Sequence, residues 1–197
     1  MPLPSNCLTG SVSETSAAPA PTRRRLLGAA AALLASPILF VSQRSRANQG
    51  EERTLSFYHT HTAEALSITY ARGDSYLPRA FVQVNWFLRD FRTGEVGAID
   101  PQLLDQLHTL AEVTGSRAPY EVISGFRSVA TNQALRQHGG GVAAHSLHLE
   151  GRAIDIRLGD VALADLRDAS ISLGAGGVGY YPQSQFVHLD TGRVRRW

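Results

Sequence analysis

The chain has 197 residues, 43% of them hydrophobic and 18% charged, enough for one domain-sized core and too apolar overall for a disordered polyelectrolyte. Its one cysteine, Cys7, excludes an internal disulfide and any cysteine-built zinc or iron–sulfur site. The formal charge of +2 resides in residues 1–47, with five Arg against Glu14; the remainder carries 14 Arg against 16 acids, so electrostatics gives no case for nucleic-acid binding.

Residues 1–47 read as an export address. Thr22-Arg23-Arg24-Arg25-Leu26-Leu27 leads into an apolar run from Leu26 to Val41, interrupted by Pro37 and short for a membrane span. An arginine pair ahead of Leu-Leu resembles a twin-arginine export signal. Ser45 and Ala47 are small residues at −3 and −1 of a cut before Asn48. The alternative is a single uncleaved anchor. Both readings put the domain outside the cytoplasmic membrane, in the periplasm, with membrane contact through this segment alone. Residues 48–53 are then a linker and 54–197 the folded domain.

Within that domain Leu55–Tyr58 and Leu66–Tyr70 alternate apolar and polar residues, as two strands of a hairpin do. Phe81, Val84, Trp86, Phe87, Leu88 and Phe91 predict an amphipathic helix over 79–92. Asp100-Pro101 is a helix start, with Asp as N-cap and Pro at the first helical position; the stripe from Leu103 to Val113 then stops at Gly115. A strand follows at Tyr120–Ser124. A helix over Thr131–His138 stops at Gly139-Gly140-Gly141. Beyond it come a strand at 152–158, a helix at 161–173, and a closing hairpin of Val178–Tyr181 with Phe186–Asp190. This mixture predicts an α+β domain, a largely antiparallel sheet with helices packed on one face.

Side chains alternate between the two faces of a strand. Ile154, Ile156 and Leu158 therefore share one face and Asp155 the other; Val187 and Leu189 share one face, with His188 and Asp190 on the other. If the apolar faces meet the helices, Asp155 and His188 stand together on the opposite face. His148 lies an odd number of residues before Asp155, so joining them needs a turn, and Gly151 is where one is cheapest. Two imidazoles and a carboxylate, with a position left for water, make the ligand set of catalytic zinc. Taken singly, each of these residues is an ordinary surface or hydrogen-bonding residue, and the spacing alone leaves both readings open.

Ser146-x-His148-x-x-Gly151-x-Ala153-x-Asp155 resembles the SxHxxGxAxD motif of the zinc D-Ala-D-Ala peptidases, within the lysostaphin/D-Ala-D-Ala-metallopeptidase/hedgehog superfamily. Ser124-Gly125-Phe126-Arg127-Ser128 is similar to the SGYRS segment that precedes that motif. Gly176–Pro182 and Phe186–Gly192 resemble the C-terminal part of the YcbK/MepK-type murein endopeptidases, as do Phe87–Asp90 and Ile99-Asp100-Pro101. The resemblance spans nearly all of 54–197 and implies a hedgehog/D-Ala-D-Ala-peptidase-like fold. It implies Zn2+ held by His148, Asp155 and His188 on the sheet face away from the helices. It also implies that Arg127 contacts the substrate carbonyl or carboxylate and steadies a developing oxyanion, a role suited to a permanently charged fork of donors.

The implied activity is hydrolysis of peptidoglycan stem-peptide cross-links, D-Ala to meso-diaminopimelate or diaminopimelate to diaminopimelate. Several relatives carry Glu or His three residues before the last ligand; here that residue is Gln185, which cannot take a proton. Asp190 is the first candidate base, with orientation of His188 as its other role. His145 is the second candidate, since an imidazole titrates near neutral pH. Tyr180 and Tyr181 open the last hairpin close to the site. His59 and His61 read as hairpin-loop residues, His108 as an exposed or capping helix residue, and His138 as a helix C-terminal residue. Two rival functions stand beside the endopeptidase: a D,D- or L,D-carboxypeptidase, and an inactive wall-binding zinc module.

Overall fold

A computed structural model describes residues 50–138 and 142–197. The predicted export signal, all of the linker before Gly50 and the three-glycine run at 139–141 lie outside the described residues. In chain order the elements are β1 (Glu52–His59), β2 (Ala65–Arg72), β3 (Ser75–Tyr76), α1 (Pro78–Phe87), α2 (Pro101–Thr114), β4 (Tyr120–Ser124) and α3 (Val129–Gln137). A 3-10 turn at Leu147–Glu150 follows, then β5 (Ala153–Leu158), α4 (Leu163–Leu173), β6 (Gly177–Tyr181), β7 (Phe186–Asp190) and β8 (Arg195–Arg196).

The eight strands form one sheet in the order β3-β2-β1-β4-β5-β7-β6-β8. Pairing is antiparallel except for β1 with β4 and β6 with β8. The fold is thus mixed α+β. Helix α2 buries Leu103, Leu104, Leu107 and Leu110, a spacing that keeps all four on one side. They pack with Leu55 and Phe57 of β1, Val122 of β4, Ile154 and Ile156 of β5, and Val187 and Leu189 of β7. Burying each such side chain stabilises the fold by roughly 1.5–3 kcal/mol before entropy is counted.

The start of α2 is as its sequence predicts. The Asp100 carboxylate accepts the Gln102 backbone N–H at 3.0 Å, Pro101 opens the helix, and Gly115 closes it at φ +67°. Helix α1 is shorter than the predicted 79–92. The buried Asp90 side chain accepts the Arg92 N–H at 2.9 Å, and the Asp90 N–H donates to the Glu95 carbonyl at 2.9 Å. That turn takes the chain out of the helix after Leu88. Helix α3 starts two residues earlier than predicted, because the Ser128 hydroxyl caps it through the Thr131 N–H at 3.1 Å.

Candidate metal centre

Strands β5 and β7 pair with Asp155 opposite His188. Their neighbours Ile154, Ile156, Val187 and Leu189 all belong to the apolar core, so alternation sends Asp155 and His188 to the other face of the sheet. His148 comes from the 3-10 turn. Gly151 ends that turn at φ +66°, and a Cβ there would sit 1.9 Å from the Ala98 carbonyl oxygen. The residue must be glycine on both counts. The reversal it allows brings His148 back over β5 despite the seven-residue separation.

His148, Asp155 and His188 are buried, with one donor atom of each lying within 4.8 Å of the others. His148 Nε2 is 3.2 Å from His188 Nδ1 and 3.3 Å from Asp155 Oδ1; His188 Nδ1 is 2.8 Å from the same oxygen. The outer ring nitrogens also have partners. His148 Nδ1 is 2.7 Å from the Gly125 carbonyl, and His188 Nε2 is 3.2 Å from Asp190 Oδ2. A carbonyl and a carboxylate only accept, so both outer nitrogens carry the N–H. In the neutral rings the inner nitrogens then present lone pairs toward each other and toward a carboxylate oxygen. Three buried acceptors at such distances repel unless a cation stands among them, and two imidazoles with one carboxylate suit zinc. The residues fit the metal that the resemblance implies.

Charge in the site follows from these contacts. Burial alone would raise the Asp155 carboxyl, but charge and hydrogen bonding from His148 and His188 hold it well below the usual carboxylate range. Burial alone would lower the His188 imidazole; hydrogen bonds with Asp155 and Asp190 outweigh it and push it up to about 9.

Arg127 enters from the loop after β4, its backbone N–H donating to the His148 carbonyl at 3.1 Å. Its Nη2 is 3.7 Å from Asp155 Oδ2, and its buried Nε has no hydrogen-bond partner among the described residues. Burial lowers the Arg127 pKa, and the Asp155 charge opposes that shift. Arg127 and the three clustered side chains line a cleft of about 940 Å³, with His145, Tyr181 and Trp197 also in its walls. A smaller groove of about 370 Å³ beside Trp86 contains one titratable residue, Glu64, which pairs with Arg89 at 3.0 Å.

The remaining candidates separate on geometry. His145 is exposed on the cleft wall. Asp190 lies beyond the outer nitrogen of His188, fully buried. Its oxygens accept from Arg195 at 2.7 and 3.0 Å and from the Gly177 and Gly192 N–H groups at 3.0 and 2.8 Å. Burial would raise its carboxyl, but His188, Arg195 and those amides hold it well below the usual range. Its carboxylate is saturated with donors and lies on the far side of His188 from the convergence point, the arrangement of an orienting group, the second of the two roles its place in the sequence allows. Gln185 sits in the turn between β6 and β7 at φ +56°, its amide donating to the Pro182 carbonyl. It is not among the cleft residues.

Tyr181 lines the cleft, whereas Tyr180 lies under the Arg167 guanidinium. His59 ends β1 fully buried against Phe87 and Phe91, and burial followed by the nearby His61 charge pulls its imidazole down to about 4. His61 stacks on Phe91 with centroids 4.2 Å apart. His108 lies 3.7 Å from Glu112 on α2, and His138 closes α3 with its Nδ1 2.7 Å from the Ala134 carbonyl. Sequence reasoning missed Arg195, Trp197 and Asp90. The first two lie in an unpatterned stretch; Asp90 lay in the Phe87–Asp90 segment, where only its burial gives it a role.

A family model described as peptidoglycan L,D-endopeptidase MepK matches residues 47–197. The peptidoglycan L,D-endopeptidases MepK of Escherichia coli strain K12 and of Shigella flexneri are each 39% identical to the chain over 175 residues, 89% of this chain and 96% of theirs. A relative from Haemophilus influenzae is 36% identical over 176 residues, 89% of this chain and 95% of its own. No solved structure matches the chain.

Proposed function

Because the chain belongs to the MepK family of peptidoglycan L,D-endopeptidases, we propose that it is a zinc-dependent hydrolase of stem-peptide cross-links. The observation that carries the metal is the trio of facing acceptors, His148 Nε2, His188 Nδ1 and Asp155 Oδ1, each within 3.3 Å of the next. Zinc held by His148, Asp155 and His188 would supply Lewis-acid polarisation of the scissile carbonyl and a more acidic water.

The other roles belong to the chain. The Arg127 guanidinium, which lines the cleft, takes the carbonyl oxygen as it gains charge. Asp190 holds His188 in the tautomer that presents Nδ1 inward. His145, exposed on the cleft wall, accepts the proton from the attacking water and returns it to the leaving amine.

Between the two cross-links considered, the relatives' L,D activity favours diaminopimelate to diaminopimelate, since that bond joins an L-centre acyl group to a D-centre amine. We further propose export by the twin-arginine route to the periplasm, where that substrate lies. A carboxypeptidase reading draws on the same Arg127 in the cleft wall, which would grip a free terminal carboxylate.

One experiment separates the readings: sacculi digested by wild type and by His148→Ala, with fragments resolved by chromatography and zinc measured by mass spectrometry. Loss of cross-linked dimers with wild type, and loss of both zinc and cleavage in the variant, is the expected result. Shortened monomers alone would establish trimming, and a zinc-free variant with full activity would overturn the ligand assignment.

A further inference from the structure

The Trp197 indole stands beside the candidate metal ligands, its ring centroid 5.4 Å from that of His188. It is held closely. Its backbone N–H donates to the Val178 carbonyl at 3.2 Å, its carbonyl accepts the Tyr180 N–H at 3.0 Å, and its Nε1–H donates to the Tyr181 hydroxyl at 2.7 Å. A Cβ on Gly179 would lie 2.8 Å from the indole, so glycine in the middle of β6 is what lets the ring lie against the strand. Tyr181 in turn stacks on Phe186, centroids 4.6 Å apart at 23°. All three rings line the cleft, yet Trp197 remains 50% exposed.

A pinned, half-exposed indole in a concave site leaves apolar surface that folding has not buried, and a ligand is what can bury it. The charges say which ligand. Among the described cleft residues Arg127 lies 3.7 Å from Asp155, whose charge the metal would neutralise in part, and Arg195, paired with Asp190 behind the cleft, holds its guanidinium 4.8 Å from the Trp197 ring centroid. The cleft thus offers an aromatic wall beside Arg127 and the candidate metal position, complementary to a carboxylate-bearing peptide that carries a methylene stretch.

We propose that Trp197, supported by Tyr181, is a specificity-determining residue whose indole covers the methylene chain of a diaminopimelate side chain while Arg127 takes an adjoining oxygen. The proposal rests on the stem-peptide reading above. It assigns the residue that follows β8 a part in substrate recognition, distinct from the candidate metal ligands.

The chain has two tryptophans, so Trp86→Phe leaves Trp197 as the one indole reporter; Trp86 lies in the separate groove. Zinc-loaded Trp86→Phe protein is titrated with an uncross-linked disaccharide tetrapeptide, which is bound without cross-link cleavage. A saturable change in Trp197 emission is expected. In steady-state assays on purified cross-linked dimer, Trp197→Ala should raise KM about tenfold with kcat within about twofold, and Trp197→Phe should recover most of the loss. Zinc content should stay at the wild-type level in both. An unchanged KM in Trp197→Ala, or emission that stays flat up to millimolar probe, overturns the proposal. Intact cleavage with a silent Trp197 removes this wall alone. An emission titration without cleavage by any protein removes the hydrolase reading and leaves the wall standing.

Discussion

At the scale of single residues, the second nitrogen of each histidine settles what the first can do. His188 reaches Asp190 through Nε2 at 3.2 Å, and Asp190 is fixed by Arg195 and two backbone amides. Asp190→Asn puts an amide among four donors and removes the charge that favours the inward-facing tautomer. We expect zinc affinity to fall roughly 10–100-fold, with turnover recovered at saturating zinc, measured by competition against a chelator. A full-zinc variant that turns over slowly would instead restore Asp190 as the base. Alternation along β5 and β7 made the pairing of Asp155 with His188 readable from sequence. The saturation of Asp190 was not, because its partners come from Gly177, thirteen residues back, and Arg195, five residues on.

Asp90 shows the same limit. Burial would raise its carboxyl, but hydrogen bonds from Thr131, Ser128 and Arg92 bring it down to about 2. Its native value lies below the unfolded value near 4, so its contribution is full above pH 4 and is lost as pH falls toward 2. That contribution is about 2 kcal/mol. In unfolding curves from pH 5 to 2.5, wild type should lose that much more stability than Asp90→Asn, and parallel curves would refute the assignment. Ser128, which donates to Asp90 through N and Oγ at 2.9 and 2.7 Å, follows Arg127 directly, so the same bonds fix the loop that carries the arginine.

At the scale of elements, local signals located the helices and strands that rest on their own residues. The Asp100-Pro101 cap, the Gly115 stop and the Tyr120–Ser124 strand fall where the sequence puts them. The ends that shifted answer to distant partners: α1 yields to the Asp90 turn, and β8 exists because β6 has a free edge for Arg195 and Arg196. The 3-10 turn combines both kinds of control. Its glycine is local, but the clash that demands it comes from Ala98, in the segment before α2. Gly151→Ala must therefore strain φ and move a carbonyl. We expect a loss of more than 1 kcal/mol and weakened zinc binding, because His148 rides on that turn. Thermal melts and zinc titration read the two effects, and a variant unchanged in both would show that the turn does not set His148.

At the scale of the whole molecule, one sheet divides two environments. Its β5 and β7 strands send leucine, isoleucine and valine into the core and Asp155 and His188 into a cleft. The three candidate ligands come from β5, β7 and the turn before β5, so an ion among them would cross-link segments that are 40 residues apart in the chain, as His148 and His188 are. Binding to the folded state alone stabilises by about 2.7 kcal/mol at a zinc concentration 100 times its Kd. For a domain of this size that is a rise in Tm of roughly 5–10 °C. A chelator should therefore lower the melting temperature of wild type by that much. It should leave His148→Ala unmoved, since that variant has lost the site while its helix-facing core is intact. Equal chelator sensitivity in the two proteins would mean that the ion sits elsewhere, and the hydrolase mechanism built on this cleft would fall with it.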